Sequence, residues 1–176
     1  MNEEQKYILD KTLNRIDSSL NSINTKASFI TTINIFLLGS IIFKYEEILV
    51  SISNQYIRII ANIDTYILFI GIIFSLVFCL QSIKPFLRSG NVSEKYTSLL
   101  FFGSINDLKY DIYKSKINNL KKEILIEDLI RQIHILSDAL TKKFKNISRS
   151  FFFLFYFELL SILILILLIF INRIIK

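Results

Sequence analysis

Cysteine, histidine and proline each occur once in the 176 residues, tryptophan is missing, and glycine occurs four times. Each scarcity removes a class of protein. Cys79 alone builds no disulfide framework within one chain. His134 alone supplies no zinc site, which needs three or four His, Cys, Asp or Glu ligands, and no such set stands at ligand spacing. No nucleophile–base pair can be built on histidine, and neither GxGxxG nor a Gly-Lys-Ser/Thr phosphate loop is present. No catalytic residue, metal ligand or cofactor is therefore expected, and an enzymatic role is not. The first 26 residues are polar and charged, and no small-residue cleavage site follows the first apolar run, so no cleavable signal peptide is expected. Internal repeats and Gly/Ser- or Asn/Gln-rich tracts are also missing.

Charge is missing in a more informative way. It is absent from residues 27–43, between Lys26 and Lys44, a run of about 25 Å as a helix. It is absent again from 65–83, between Asp64 and Lys84. Between Arg149 and Arg173, residues 150–172 carry one charge, Glu158. A spanning helix needs roughly 20 apolar residues. With 52% hydrophobic residues and a mean hydropathy of +0.49, the chain is more apolar than soluble domains of its size. The expectation is an all-α membrane protein with three transmembrane helices, 27–43, 65–83 and 150–172, and no strands.

Basic residues then orient the spans. Four lie in the N-terminal segment 1–26, two in 44–64, thirteen in 84–149 and two after the third span. Placing the N-terminus inside leaves seventeen in the cytoplasm. Residues 1–26 are then a cytoplasmic helix, 44–64 an outer loop, 84–149 a cytoplasmic helical region, and the C-terminus lies outside.

Both cytoplasmic parts carry helical stripes. Leu9, Leu13, Ile16, Leu20, Ile23, Ala27 and Ile30 alternate spacings of four and three, which predicts one long helix running into the first span. Leu125, Leu129, Ile133, Leu136, Leu140 and Phe144 do the same ahead of the third span. Pro85 and Gly90 break the chain after the second span, and Gly103 marks a kink or turn in a mostly helical stretch. Together these predict a cytoplasmic helical bundle attached to a small transmembrane bundle.

Two features invite function. The 84–149 region has a net charge of +6. Positive-inside topology accounts for it, and so does a pocket for a phosphorylated ligand. Glu158 lies nine residues past Arg149, about 13 Å into the third span, and an ionisable group there is a functional candidate by default. Two readings stand: a protonated, paired or water-exposed group, or a carboxylate near the interface bonded to Thr31, Thr32 or Asn34.

Several motifs share an order. "NTKAS" (24–28) stands where a helix enters the first span, Pro85 follows the second, and "LFFGSI" (100–105) lies in the long loop. "DLIRQI" (128–133) and Lys143-Phe144 precede the third span. In these motifs the chain resembles the Pycsar transmembrane effector family (PycTM) over about residues 8–172. Asn24 departs from the family's usual Asp, removing a charge beside Lys26.

The resemblance implies a bacterial anti-phage effector, multi-pass in the inner membrane. It would impair that membrane and abort infection when a partner cyclase makes a cyclic pyrimidine mononucleotide such as cUMP or cCMP. The partners so implied are the lipid bilayer, the cyclase product and further copies of the chain, with no nucleic acid. Lys26, Phe102, Gly103, Gln132 and Lys143 combine polarity with the family-like motifs and are the ligand-contact candidates. Glu158 is the intramembrane candidate. The alternatives are a ligand-independent toxin or holin-like protein, and a membrane anchor or immunity partner of a second protein.

Overall fold

Helix accounts for nearly every position in the computed structural model, which describes residues 3–85 and 97–175. No strand occurs among the described residues. In chain order the helices are α1 (Glu3–Ser51), α2 (Gln55–Ile83), α3 (Phe102–Asn106), α4 (Tyr110–Asn118) and α5 (Lys122–Phe153). A π-helical segment, Leu154–Leu159, then leads without a break into α6 (Leu160–Ile175). Three stretches are long and apolar enough to cross a membrane: α1, α2, and the run from α5 through α6. Each contains one of the three expected spans.

The stripe on α1 is buried as its periodicity predicts. Ile16, Ile23, Ala27 and Ile30 are buried, and Leu9, Leu13 and Leu20 are half-buried. No proline or interior glycine interrupts it before Gly39, so the helix runs on through the charge boundary at Lys26.

Three local expectations change. The segment 44–64 is mostly helix, since α1 runs to Ser51 and α2 begins at Gln55, leaving residues 52–54 as the connection. Charges at Lys44, Glu46, Glu47, Arg58 and Asp64 interrupt the apolar runs there, but no proline or glycine breaks the helices. Gly103 lies inside α3, and the chain turns instead at residues 107–109, between α3 and α4. On α5 the buried positions include Asp128, Gln132, Ile133, Ala139, Ile147 and Ser150, whereas Leu125 and Phe144 at the ends of the apolar stripe are 37% exposed. The seam is displaced because polar side chains occupy several of its positions. Gly90 lies outside the described residues.

The chain divides into two compact units. One comprises Met1–Ser22 and Lys84–Lys142, the other Ile23–Ile83 and Lys143–Lys176. In the second unit Ala27, Ile30, Cys79, Ile147 and Leu154 form one apolar cluster joining α1, α2 and α5 to the π segment. Ile52, Ile57 and Ala61 form another, with Leu49, Leu165 and Leu168 against it. In the first unit the Asp128 carboxylate accepts a hydrogen bond from the Leu99 backbone N–H at 2.7 Å. The Ser98 hydroxyl accepts two more, from Leu100 and Phe101.

Candidate functional site

The three-span unit buries polar side chains between its apolar clusters and is apolar outside. Large apolar side chains such as Phe29, Phe36, Phe43, Ile70, Leu163 and Phe170 are exposed, while Asn34, Ser75, Ser82, Ser150 and Glu158 are completely buried. That is the arrangement a bilayer requires. Lipid chains solvate apolar side chains, and spans adhere through small residues that approach closely and polar groups that bond across the gap.

The buried face of α2 mixes such residues with three large aliphatic ones. It runs Ile57, Ala61, Asp64, Thr65, Leu68, Gly71, Ile72, Ser75, Cys79 and Ser82. Toward its end the Cys79 thiol donates to the Ala27 carbonyl at 3.1 Å and lies 3.2 Å from the Thr31 hydroxyl. One turn earlier, Ser75 joins three helices. The Asn34 amide donates to its hydroxyl at 2.9 Å, that hydroxyl donates to the Ser150 carbonyl at 3.2 Å, and the Ser150 hydroxyl donates to the Ser75 carbonyl at 2.8 Å.

Gly71 explains how the third helix comes so close. A Cβ placed there would stand 2.8 Å from the Phe157 Cβ and 3.7 Å from the Glu158 Cγ. Only a residue without a side chain fits. Phe157 and Glu158 belong to the π segment, whose wider turn departs from the α pattern where the packing is tightest. Beside it Phe153 stacks on Phe74 at 5.3 Å and on Phe78 at 5.7 Å, and Arg149 lies 5.6 Å from the Phe78 ring centre.

Glu158 is the exception in this network. Its side chain is completely buried, yet neither carboxyl oxygen has a hydrogen-bond partner among the described residues. Ser75 lies beside it, in a geometry short of a hydrogen bond. The three partners considered from the sequence are engaged elsewhere: Thr31 with Cys79, Thr32 with the Ser28 carbonyl, and Asn34 with Ser75. The Asn34 Oδ1 and one oxygen of buried Asp64 likewise have no partner among the described residues. Asp64 marked the edge of a span in the sequence, but it lies well inside α2 and is 6% exposed. Its place on the same helical face as Ser75 and Cys79, at spacings of 11 and 15, was the available signal.

At the other end, Asn172 ties the spans together. Its side-chain oxygen accepts from the Ser53 hydroxyl and the Asn54 backbone N–H, and its amide donates to the Ser51 carbonyl, each at 3.3 Å.

The five ligand-contact candidates do not share one unit. Phe102, Gly103 and Gln132 belong to the first, Lys26 and Lys143 to the second. Phe102 is 63% exposed at the start of α3, its ring 4.7 Å from that of Phe101. Gly103 follows it. Gln132 is buried, its Nε2 without a partner among the described residues. Lys26 is exposed on α1. Lys143 is half-buried and donates to the Ser82 carbonyl at 2.7 Å, where a cation complements the C-terminal end of α2. Burial pulls its ammonium pKa below the usual lysine range.

The first unit also holds a cleft of about 490 Å³ that no sequence motif marked. Lys116, Asn119, Glu127, Asp128 and Arg131 line it together with apolar Leu120 and Ile124. Arg131 is paired with Glu127 at 2.9 Å. No group of three or more His, Cys, Asp or Glu side chains placed to hold a metal occurs among the described residues.

Three apolar helices with polar side chains buried between them define a membrane protein of the all-α class. The chain belongs to the Pycsar effector protein domain family, which matches residues 8–171. It is similar to the Pycsar effector protein GmPycTM of Gulbenkiania mobilis, with 27% identity over 154 residues covering 76% of this chain and 78% of the relative. No solved structure matches it.

Proposed function

We propose that the chain is an inner-membrane effector of bacterial anti-phage defence that impairs the membrane in response to a cyclic nucleotide from a partner cyclase. Family membership over residues 8–171 supports the defence role. The three-span unit, with its apolar exterior and polar interior, is the observation that carries the membrane as its target.

In this reading the first unit lies in the cytoplasm, where the signal is made, and the basic residues of the long loop support that orientation. Its cleft has the size of a small-molecule site. Lys116 and Arg131 offer cations to a phosphodiester, and Glu127 and Asn119 offer acceptors to the donors of a pyrimidine edge. Phe102, Gly103 and Gln132 remain contact candidates of the same unit, whereas Lys143 already serves the end of α2. A signal that repacks the first unit acts on α1 and α5, both of which continue into the second.

Membrane potential in cells expressing the chain, with and without a uridylate or cytidylate cyclase, tests this reading. Depolarisation only with the cyclase is the expected result, and Lys116→Ala should weaken it. Depolarisation without any cyclase replaces the reading with a ligand-independent toxin. Stable cells under both conditions overturn it.

A further inference from the structure

The polar interior of the three-span unit exceeds what helix packing needs. Asn34, Ser75 and Ser150 suffice to bond the helices. Glu158 adds nothing to that bonding. It is fully buried, and among the described residues its two oxygens have no partner, nor do Asn34 Oδ1 and Asp64 Oδ2 in the same interior. A buried acceptor without a donor is unfavourable, and a bare carboxylate in hydrocarbon is far more so. What these oxygens share is the lack of a hydrogen.

Position strengthens the point. Glu158 lies nine residues from Arg149 and fifteen from Arg173, about 13 Å and 22 Å along the helix, so it sits within the apolar layer. It projects from a π segment pressed onto Gly71. The groups around it are Gly71 and Ser75 of α2, and Ser75 bonds Asn34 of α1 and Ser150 of α5. The nearby cations have other positions: Arg149 over the Phe78 ring and Lys143 on the Ser82 carbonyl. Asp64 lies seven residues before Gly71 on the same face of α2, about 10 Å away, with Ser161 beside it. Between the two carboxyls that face carries Leu68, and Ile72 follows Gly71, both buried and apolar.

We propose that Glu158 is the proton-binding site of a path inside a single chain, with Asp64 as its second stop. The membrane lesion is then a proton leak through the three-span unit and needs no pore between copies. The proposal rests on the membrane-effector reading above. Glu158 takes a proton on one carboxyl oxygen and becomes a neutral acid whose O–H is aimed at the Ser75 hydroxyl. Loss of that proton to Asp64 returns the Glu158 carboxylate, and Asp64 then releases it toward the Gln55 end of α2, so both acids are reset. Leu68 separates the two stops, so conduction requires it to move aside.

The test uses the full chain in phosphatidylethanolamine–phosphatidylglycerol vesicles, with and without added cUMP or cCMP. Infrared spectroscopy first asks whether a protonated-carboxyl carbonyl band is present in the wild type and lost in Glu158→Gln. Proton entry under a potassium diffusion potential is then followed with an entrapped pH dye, beside release of a larger entrapped dye. The expected result is the Glu158 band, proton entry that falls at least about tenfold in Glu158→Gln, and retention of the large dye. Glu158→Asp should restore part of the flux, and unchanged helicity and elution volume would show that the variants fold. Absence of the band overturns the proposal whatever the effector does in cells. So does equal flux in wild type and Glu158→Gln, a wild type that conducts no protons under either condition, or escape of the large dye. Failure of the effector reading shows separately, as cells that never depolarise.

Discussion

Gly71 and Gly39 make a controlled pair. A Cβ at Gly71 collides with Phe157, whereas nothing lies within 4 Å of one at Gly39. Gly71→Ala should therefore destabilise the protein in detergent by about 1–3 kcal/mol, the usual cost of overpacking, and Gly39→Ala should be near neutral. Thermal unfolding followed by elution profile reads both. Asn172→Leu removes three long hydrogen bonds at the α1–α2 connection. Polar contacts inside membranes are individually weak, so a loss of about 1–2 kcal/mol is expected in the same assay. In the first unit, Asp128→Ala frees the Leu99 amide from its acceptor, while Asp128→Asn keeps one. Hydrogen exchange at Leu99 should rise about tenfold or more in the first variant and much less in the second.

Among the elements, the π segment decides most. Its six residues carry Phe157 and Glu158 past Gly71. A turn closed by i→i+5 bonds holds one residue more than its α counterpart. Deleting exposed Phe155 should let the segment return to α geometry while Ser150 and Ser161 keep their faces. Helicity by circular dichroism should hold, and protection of the Glu158 carboxyl from a bilayer-permeant carbodiimide should fall. The long helices were legible in the sequence because an unbroken heptad stripe runs through Ile16, Ile23 and Ile30. The π segment was not. Its residues, "LFYFEL", have ordinary helix propensity, and the wider turn follows from fitting Phe157 against a glycine on another helix. The seam on α5 was displaced for a related reason, since a search by apolar residues passes over Asp128, Gln132 and Ser150.

For the whole molecule, charge and hydropathy predict three spans, and three helices able to span are present. Their orientation makes its own prediction. In a Cys79→Ser background, Tyr56→Cys at the start of α2 should react with a membrane-impermeant maleimide on intact spheroplasts. Lys114→Cys on α4 should react only after lysis. The reverse pattern would invert the topology. Glu158 was visible as a lone charge in an apolar run, but Asp64 was hidden because a charge at the edge of a hydropathy window looks like the end of a span. The cleft near Arg131 was not legible either, because its lining comes from Thr97 to Arg131 and depends on how that stretch folds back.

The bonds made by Asn172 also impose an order of events during synthesis. The turn at residues 52–54 leaves the ribosome well over a hundred residues before the side chain that accepts from Ser53 and Asn54, and the whole second span precedes that side chain too. Until the third span enters the bilayer, the Ser51 carbonyl and the Asn54 amide have that partner neither in lipid nor in protein. A nascent chain halted before residue 172 thus carries an unlatched hairpin, and completion of the last span is the step that fastens it.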